Sequence, residues 1–257
     1  MSIKNRILHC AALALLSACS LSALAAPTGK FLSVTGDVKA STQGKAAQAV
    51  AKGGALEPGM SVATGAKSSA ILRFEDGQII VLGSNSVFRI REYQFDVTTP
   101  AKNVLRFELE KGESRSITGL IGERNRENWR FDTPFARIEI RGTDFFAVVR
   151  EQLYLHVNSG WIAADNSAGS AVFTDDQSAI VPNQATLAAK GSVPSHVFSE
   201  IESINLASIP GGSAEGAGAA GGTSWGTIGI VGGIGAAVVA GAIALGGGGG
   251  GSTTTHH

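Results

Sequence analysis

With 257 residues, the chain has room for one sizeable domain or two small ones. Its 21 basic side chains are matched by 21 acidic ones, a balance that gives no sign of the concentrated positive surface that electrostatic capture of nucleic acid requires. The glycines are unevenly distributed along the chain, so each section has to be read separately.

Residues 1–25 read as a secretory signal peptide. Lys4 and Arg6 precede an apolar run that closes in small residues. Ala23-Leu24-Ala25 fits ordinary cleavage after Ala25. Leu16-Ser17-Ala18-Cys19 also fits a lipobox, in which Cys19 would carry lipid. Ordinary cleavage removes two basic residues and both cysteines, leaving 19 basic against 21 acidic side chains. A disulfide and a cysteine nucleophile are then excluded, and the fold must hold by packing and sheet hydrogen bonds.

Residues 29–190 read as an all-β domain. FLSVTGDVKAS opens it with alternation around a Thr-Gly-Asp turn. SSAILRF and QIIVLG form two strands joined through Glu75-Asp76-Gly77, a hairpin or tight corner. In NVLRFELEKGESRSI, Leu105, Phe107 and Leu109 share one face and Arg106, Glu108 and Glu110 the other, the period of a half-buried strand. GERNRENWRFD, residues 122–132, is a charged insertion. It reads as a solvated loop or as a partner contact made by Arg124, Arg126, Trp129 and Arg130, with Trp129 as the anchor.

The best-punctuated stretch is FDTPFARIEIRGTDFFAVV, residues 131–149. Pro134 biases Thr133 toward extended backbone. Ile138 and Ile140 share one strand face, and Arg137, Glu139 and Arg141 the other. Gly142 permits a turn or close backbone approach, Asp144 can cap amides near it, and Phe145 and Val148 resume the strand. Strands RIEIRG, DFFAVVRE, LYLHVNSGWIAADN, SAVFT and QSAIV follow one another without an intervening helical period, which argues against a parallel βαβ sheet.

Residues 191–224 read as a bridge, with an amphipathic helix over SHVFSEIESINLASI followed by a Gly/Ala/Ser linker. Residues 225–245 carry no charge over 21 positions, long enough for one membrane-crossing helix. Gly229, Gly233, Ala237 and Gly241 would form a small-residue stripe on it for self-association into a homo-oligomer. Residues 246–257 are a polar tail.

No HExxH, GxSxG or Walker pattern is present, and Asp165, Asp175 and Asp176 lack the spacing of a calcium loop. No cofactor, metal site or catalytic residue is expected. An envelope hydrolase working at the His156 strand face is the weakest of the readings.

Thr133-Pro134-x-Ala136 followed by Ile140-Arg141-Gly142-Thr143-x-Phe145 resembles the central signature of the FecR domain family. Ile140 stands where Val is usual. Val34-x-Gly36-x-Val38, Leu56-x-x-Gly59, Thr64-Gly65, Ala70-x-Leu72-x-Phe74-x-Asp76-Gly77 and the Gly160 turn occur in the family's order. The resemblance covers about residues 30–180. It implies a compact β-roll or short β-solenoid of short strands in the periplasm or cell envelope of a Gram-negative bacterium, here followed by a flexible linker and a single hydrophobic helix associating with the membrane. Founding members relay a signal from an outer-membrane iron-siderophore receptor to a cytoplasmic sigma factor. The leader here has no room for their cytoplasmic region, so the first expectation is a non-enzymatic envelope protein binding a protein or glycan partner. The alternative is a periplasmic signalling component that modulates a transmembrane regulator.

Overall fold

The computed structural model describes residues 28–42 and 44–206. Fifteen strands form one sheet. They are β1 (Gly29–Thr35), β2 (Val38–Ser41), β3 (Gln48–Ala49), β4 (Ala55–Leu56), β5 (Ser61–Thr64), β6 (Ser69–Phe74), β7 (Ile79–Leu82) and β8 (Val87–Gln94). Then come β9 (Val104–Ile117), β10 (Trp129–Asp132), β11 (Arg137–Val149), β12 (Leu153–Asn166), β13 (Gly169–Thr174), β14 (Ser178–Val181) and β15 (Ala189–Lys190).

The long strands explain the architecture. The first half of β9 lies between β8 and β10, while its second half lies between β7 and β11. β11 likewise pairs with β10 through Arg137 and Ile138 and with β9 from Asp144 onward. β12 pairs with β13 at its C-terminal end and with β14 at its N-terminal end. One sheet therefore makes two layers. The first runs β3-β2-β5-β8-β9-β10-β11-β12-β13, and the second β4-β1-β6-β7-β9-β11-β12-β14-β15.

This corrects the expectation of a β-roll or solenoid of short strands. The sheet is not closed into a barrel or a solenoid. Three of its strands have 13 or 14 residues, and nearly every pairing is antiparallel, β9 with β10 being parallel. RIEIRG and DFFAVVRE are accordingly one strand, shifted in register between Arg141 and Phe145. Gly160 lies inside β12 rather than in a turn after it.

The core lies between the layers. Phe107 of the first layer meets Phe74 of the second at 4.8 Å, and Phe131 meets Phe145 edge-on at 5.6 Å, a geometry that adds to simple area burial. The alternation read for Leu105, Phe107 and Leu109 holds, for all three are buried in this core.

The layers differ on their outer faces. The second layer presents Ile71, Ile79, Val81, Phe146 and Val148, and residues 193–206 cover them through Val197, Phe198, Ile201 and Leu206. In place of one amphipathic helix, this segment makes two short turns, Ser195–Val197 and Ser199–Glu202. The first layer's outer face is charged and carries the pairs Arg89–Glu110, Arg91–Glu108 and Arg106–Glu92.

Among the described residues no helix is long and apolar enough to cross a membrane. The longest, Leu120–Arg124, has five residues. The expected transmembrane helix is thus absent from the described elements. Residues 225–245, with Gly229, Gly233, Ala237 and Gly241, lie outside the described residues, as does the leader.

Two predictions arise here. Gly142 has φ +56, and a Cβ there would meet nothing within 4 Å, so Gly142→Val is opposed by the backbone alone. The expected loss is about 1–3 kcal/mol, against about 0.5 kcal/mol or less for Arg124→Ala on an exposed helix turn. Thermal unfolding of the full chain checks this, and Gly142→Asn should recover most of the loss.

The second concerns Glu113, whose side chain is 5% exposed and paired to Arg150 at 2.8 Å. Its other carboxylate oxygen has no hydrogen-bond partner. Glu200 of the covering segment contacts the Ser84 hydroxyl beside it. Burial raises the Glu113 pKa, Arg150 opposes the rise, and the Glu200 charge adds to it. A raised carboxyl favours the folded state below its ordinary range, and that contribution fades as pH climbs through the raised value. Hydrogen exchange at residues 197–204 should therefore slow as pH falls from neutral toward the ordinary carboxylate range, after correction for the intrinsic rate. Glu113→Gln should remove the dependence.

Candidate functional site

Two buried polar residues at the β6–β7 corner, Asp76 and Gln78, organise the charged insertion together with Tyr93 of β8. Asp76 accepts hydrogen bonds from the amides of Gln78 at 3.2 Å and Ile121 at 3.3 Å and from the Tyr93 hydroxyl at 3.1 Å. The Tyr93 hydroxyl accepts in turn from the Asp76 amide. Gln78 donates to Ser116, while its carbonyl oxygen accepts from the Gly119 amide and the Trp129 indole. Burial raises both the Asp76 and the Tyr93 pKa, although the hydrogen bonds to Asp76 oppose its rise. One corner thus holds the helix Leu120–Arg124 and the entry to β10.

What this anchoring builds is a cleft of about 430 Å³ at the β10–β12 end of the charged face. Arg106, Arg126, Arg130 and Arg137 line it with Glu127 and Glu139, and Ile140, Trp129 and Trp161 supply apolar surface. A cavity of this size falls in the range of small-ligand or side-chain sites. Arg141 lies at its edge, its guanidinium 5.9 Å from the Trp161 ring centre. Arg106 and Arg130 come together because β9 and β10 pair in parallel register.

The structure distributes the sequence-derived partner residues unevenly. Arg126 and Arg130 line the cleft. Arg124 is exposed but is not part of the lining. Trp129 is 2% exposed, stacked on Phe131 and hydrogen-bonded to Gln78, so it is a core residue and not a protruding anchor. Arg106, Arg137, Glu139 and Trp161 escaped the sequence reading. Their outward strand positions were readable, but the register joining them was not.

The signature residues hold the frame of the site. Thr133 closes a turn, its hydroxyl accepting from the Phe135 and Ala136 amides and donating to the Ala136 carbonyl. The Pro134 carbonyl accepts from Gln184, and Ala136 is buried. Thr143 donates its hydroxyl to the Trp161 carbonyl at 2.7 Å, and its amide bonds to Thr118. Phe145 is fully buried. Arg141-Gly142-Thr143 is therefore the corner that carries β11 between layers beside the cleft. Asp144 caps no amide there. It takes a two-point bond from Arg115 across the β9–β11 pair, and a further bond from Asn158.

Residues 60–162 match the family model described as FecR protein. Every residue lining the cleft falls inside the FecR match. Members of the FecR family are regulatory, non-catalytic proteins of the Gram-negative periplasm and cell envelope. His156, bonded to Ser178 at 2.9 Å, packs its ring on Phe146 and Phe198. Among the described residues no group of three or more His, Cys, Asp or Glu side chains is placed to hold a metal. No curated protein matches the chain. Two crystal structures of a candidate anti-sigma factor from Parabacteroides distasonis are similar at 17% identity and a TM-score of 0.42, covering 54% of this chain. The match spans 62% of the length of those structures.

Proposed function

We propose that the protein is a periplasmic signalling component whose FecR-like domain binds a protein partner at the arginine-lined cleft and so modulates a transmembrane regulator. The supporting observation is the coincidence of the cleft with the FecR match: residues from Arg106 to Trp161 line it, all within residues 60–162. An exposed, charged sheet face with a recess suits a reversible contact, because rim charges steer encounter more than they add affinity. A glycan partner finds less support, since of the two tryptophans lining the cleft Trp129 is buried and Trp161 is only partly exposed.

The test is complementation. A deletion strain should show altered transcripts under iron limitation or envelope stress. Wild-type protein should restore them, and the double variant Arg126→Glu/Arg137→Glu should not, although it accumulates in folded form. Transcripts unchanged by deletion under both conditions would defeat the signalling reading.

A further inference from the structure

We infer that the cleft takes an acidic peptide segment of its partner, with the segment's carboxylates bound by Arg126 and Arg137. This rests on the cleft being the partner contact and names the chemistry of that contact. Four of the charged residues lining the cleft are arginines and two are glutamates; Glu92 and Asp132 beside it hold two of the arginines, so the attraction rests on the uncommitted donors of the other two and not on net charge.

The arginines are not equally committed. Arg106 is held by Glu92 at 3.1 Å and Arg130 by Asp132 at 2.8 Å. Arg137 reaches that same Asp132 oxygen only at 3.6 Å, and it is 43% exposed. Arg126 is exposed and has no ion pair among the described residues. Two guanidinium groups are thus left with unused donors in one recess. Each offers a planar fork that matches a carboxylate at two points.

One exposed ion pair contributes little, about 0–1 kcal/mol. A single acidic residue would therefore not hold. A segment carrying several carboxylates can engage both arginines at once and displace Asp132 from Arg137. The aromatic surface also argues for a peptide. Trp129 is buried and Trp161, partly exposed, has Arg141 at 5.9 Å from its ring centre, which leaves a sugar a single ring to stack on, whereas an extended chain needs none.

The test uses the full chain and a labelled Glu-Gly repeat peptide of about ten residues, with a Gln-Gly repeat and an oligogalacturonate as comparison probes. The acidic peptide should bind and weaken several-fold as salt rises from about 0.05 to 0.2 M, because exposed charges are screened over about 10 Å. The Gln-Gly repeat should not bind. Arg126→Gln/Arg137→Gln should weaken the acidic peptide about tenfold or more with an unchanged unfolding midpoint, whereas Arg124→Gln should leave binding unaltered. Equal binding of the Gln-Gly repeat, unaltered affinity in the double variant, or preference for oligogalacturonate would each overturn the inference. If the acidic peptide fails to bind while a photo-cross-linker at position 126 still captures an envelope protein, the chemistry is wrong and the protein-binding reading stands. If both fail, that reading falls with it.

Discussion

Gly160→Ala should be the most destabilising single substitution in the domain. The residue has φ +84, and a Cβ built on it would lie 2.2 Å from the Gly142 carbonyl oxygen and 3.0 Å from the Thr143 Cα. Both contacts are backbone, so no side chain can swing aside. The obstructed backbone belongs to the corner of β11, whose neighbour Thr143 is tied to Trp161 and Thr118. A positive φ adds about 1–3 kcal/mol of strain, and overpacking about 1–3 kcal/mol more. Together these are a large fraction of a total stability of about 5–15 kcal/mol. The unfolding midpoint should fall by roughly 10 °C or more. Gly142→Ala, facing open space at its own positive φ, should fall much less. Equal midpoints for Gly160→Ala and wild type would mean that the two strands do not approach this closely at the corner.

Asp76→Ala should be the second most damaging change, and it should damage the cleft in particular. It strips the hydrogen-bond acceptor from the Gln78 amide, the Ile121 amide and the Tyr93 hydroxyl, in a place where Asp76 is 1% exposed. Each buried donor left unpaired costs about 1–3 kcal/mol. The expected sum is about 3 kcal/mol or more, because water can reach part of the vacated space. The helix Leu120–Arg124 loses its tether, so hydrogen exchange should quicken across residues 120–129 before it does in β11. Asp76→Asn is the informative companion. It keeps the volume, but its NH₂ must face one of the donors, so it should recover part of the stability and not all of it. Uniform exchange changes across the domain would contradict the tethering role.

Much of the strand content was legible, because period-two alternation is a local property. Leu105, Phe107 and Leu109 face inward as their spacing indicates, and the Glu75-Asp76-Gly77 corner joins β6 to β7 antiparallel. The layer structure was not legible. β9, β11 and β12 each serve two layers, and a sequence shows a corner at Gly142 without showing whether the strand ends there or bends through it. The same limit hid the cleft. Arg106 and Arg130 are neighbours only through a parallel pairing of β9 and β10, and Trp161 joins them through its place opposite Arg141 on β12. Trp129 was misplaced for a related reason. A charged flank argued for exposure, while the ring packs on Phe131 and Phe145 and its N–H is satisfied by Gln78, which lies 51 positions away in sequence.

The decisive question is whether the charged face of the first layer, at residues 126–137, is where a partner sits. Site-specific photo-cross-linking in living cells tests that most directly. A cross-linker at position 126 is compared with one at exposed Lys45, which the structure places away from the cleft lining. A partner seated there should give a discrete cross-linked envelope protein from position 126, none from position 45, and loss of the product when Arg137→Glu is added. Capture of the same protein from both positions, or from position 45 alone, would contradict it.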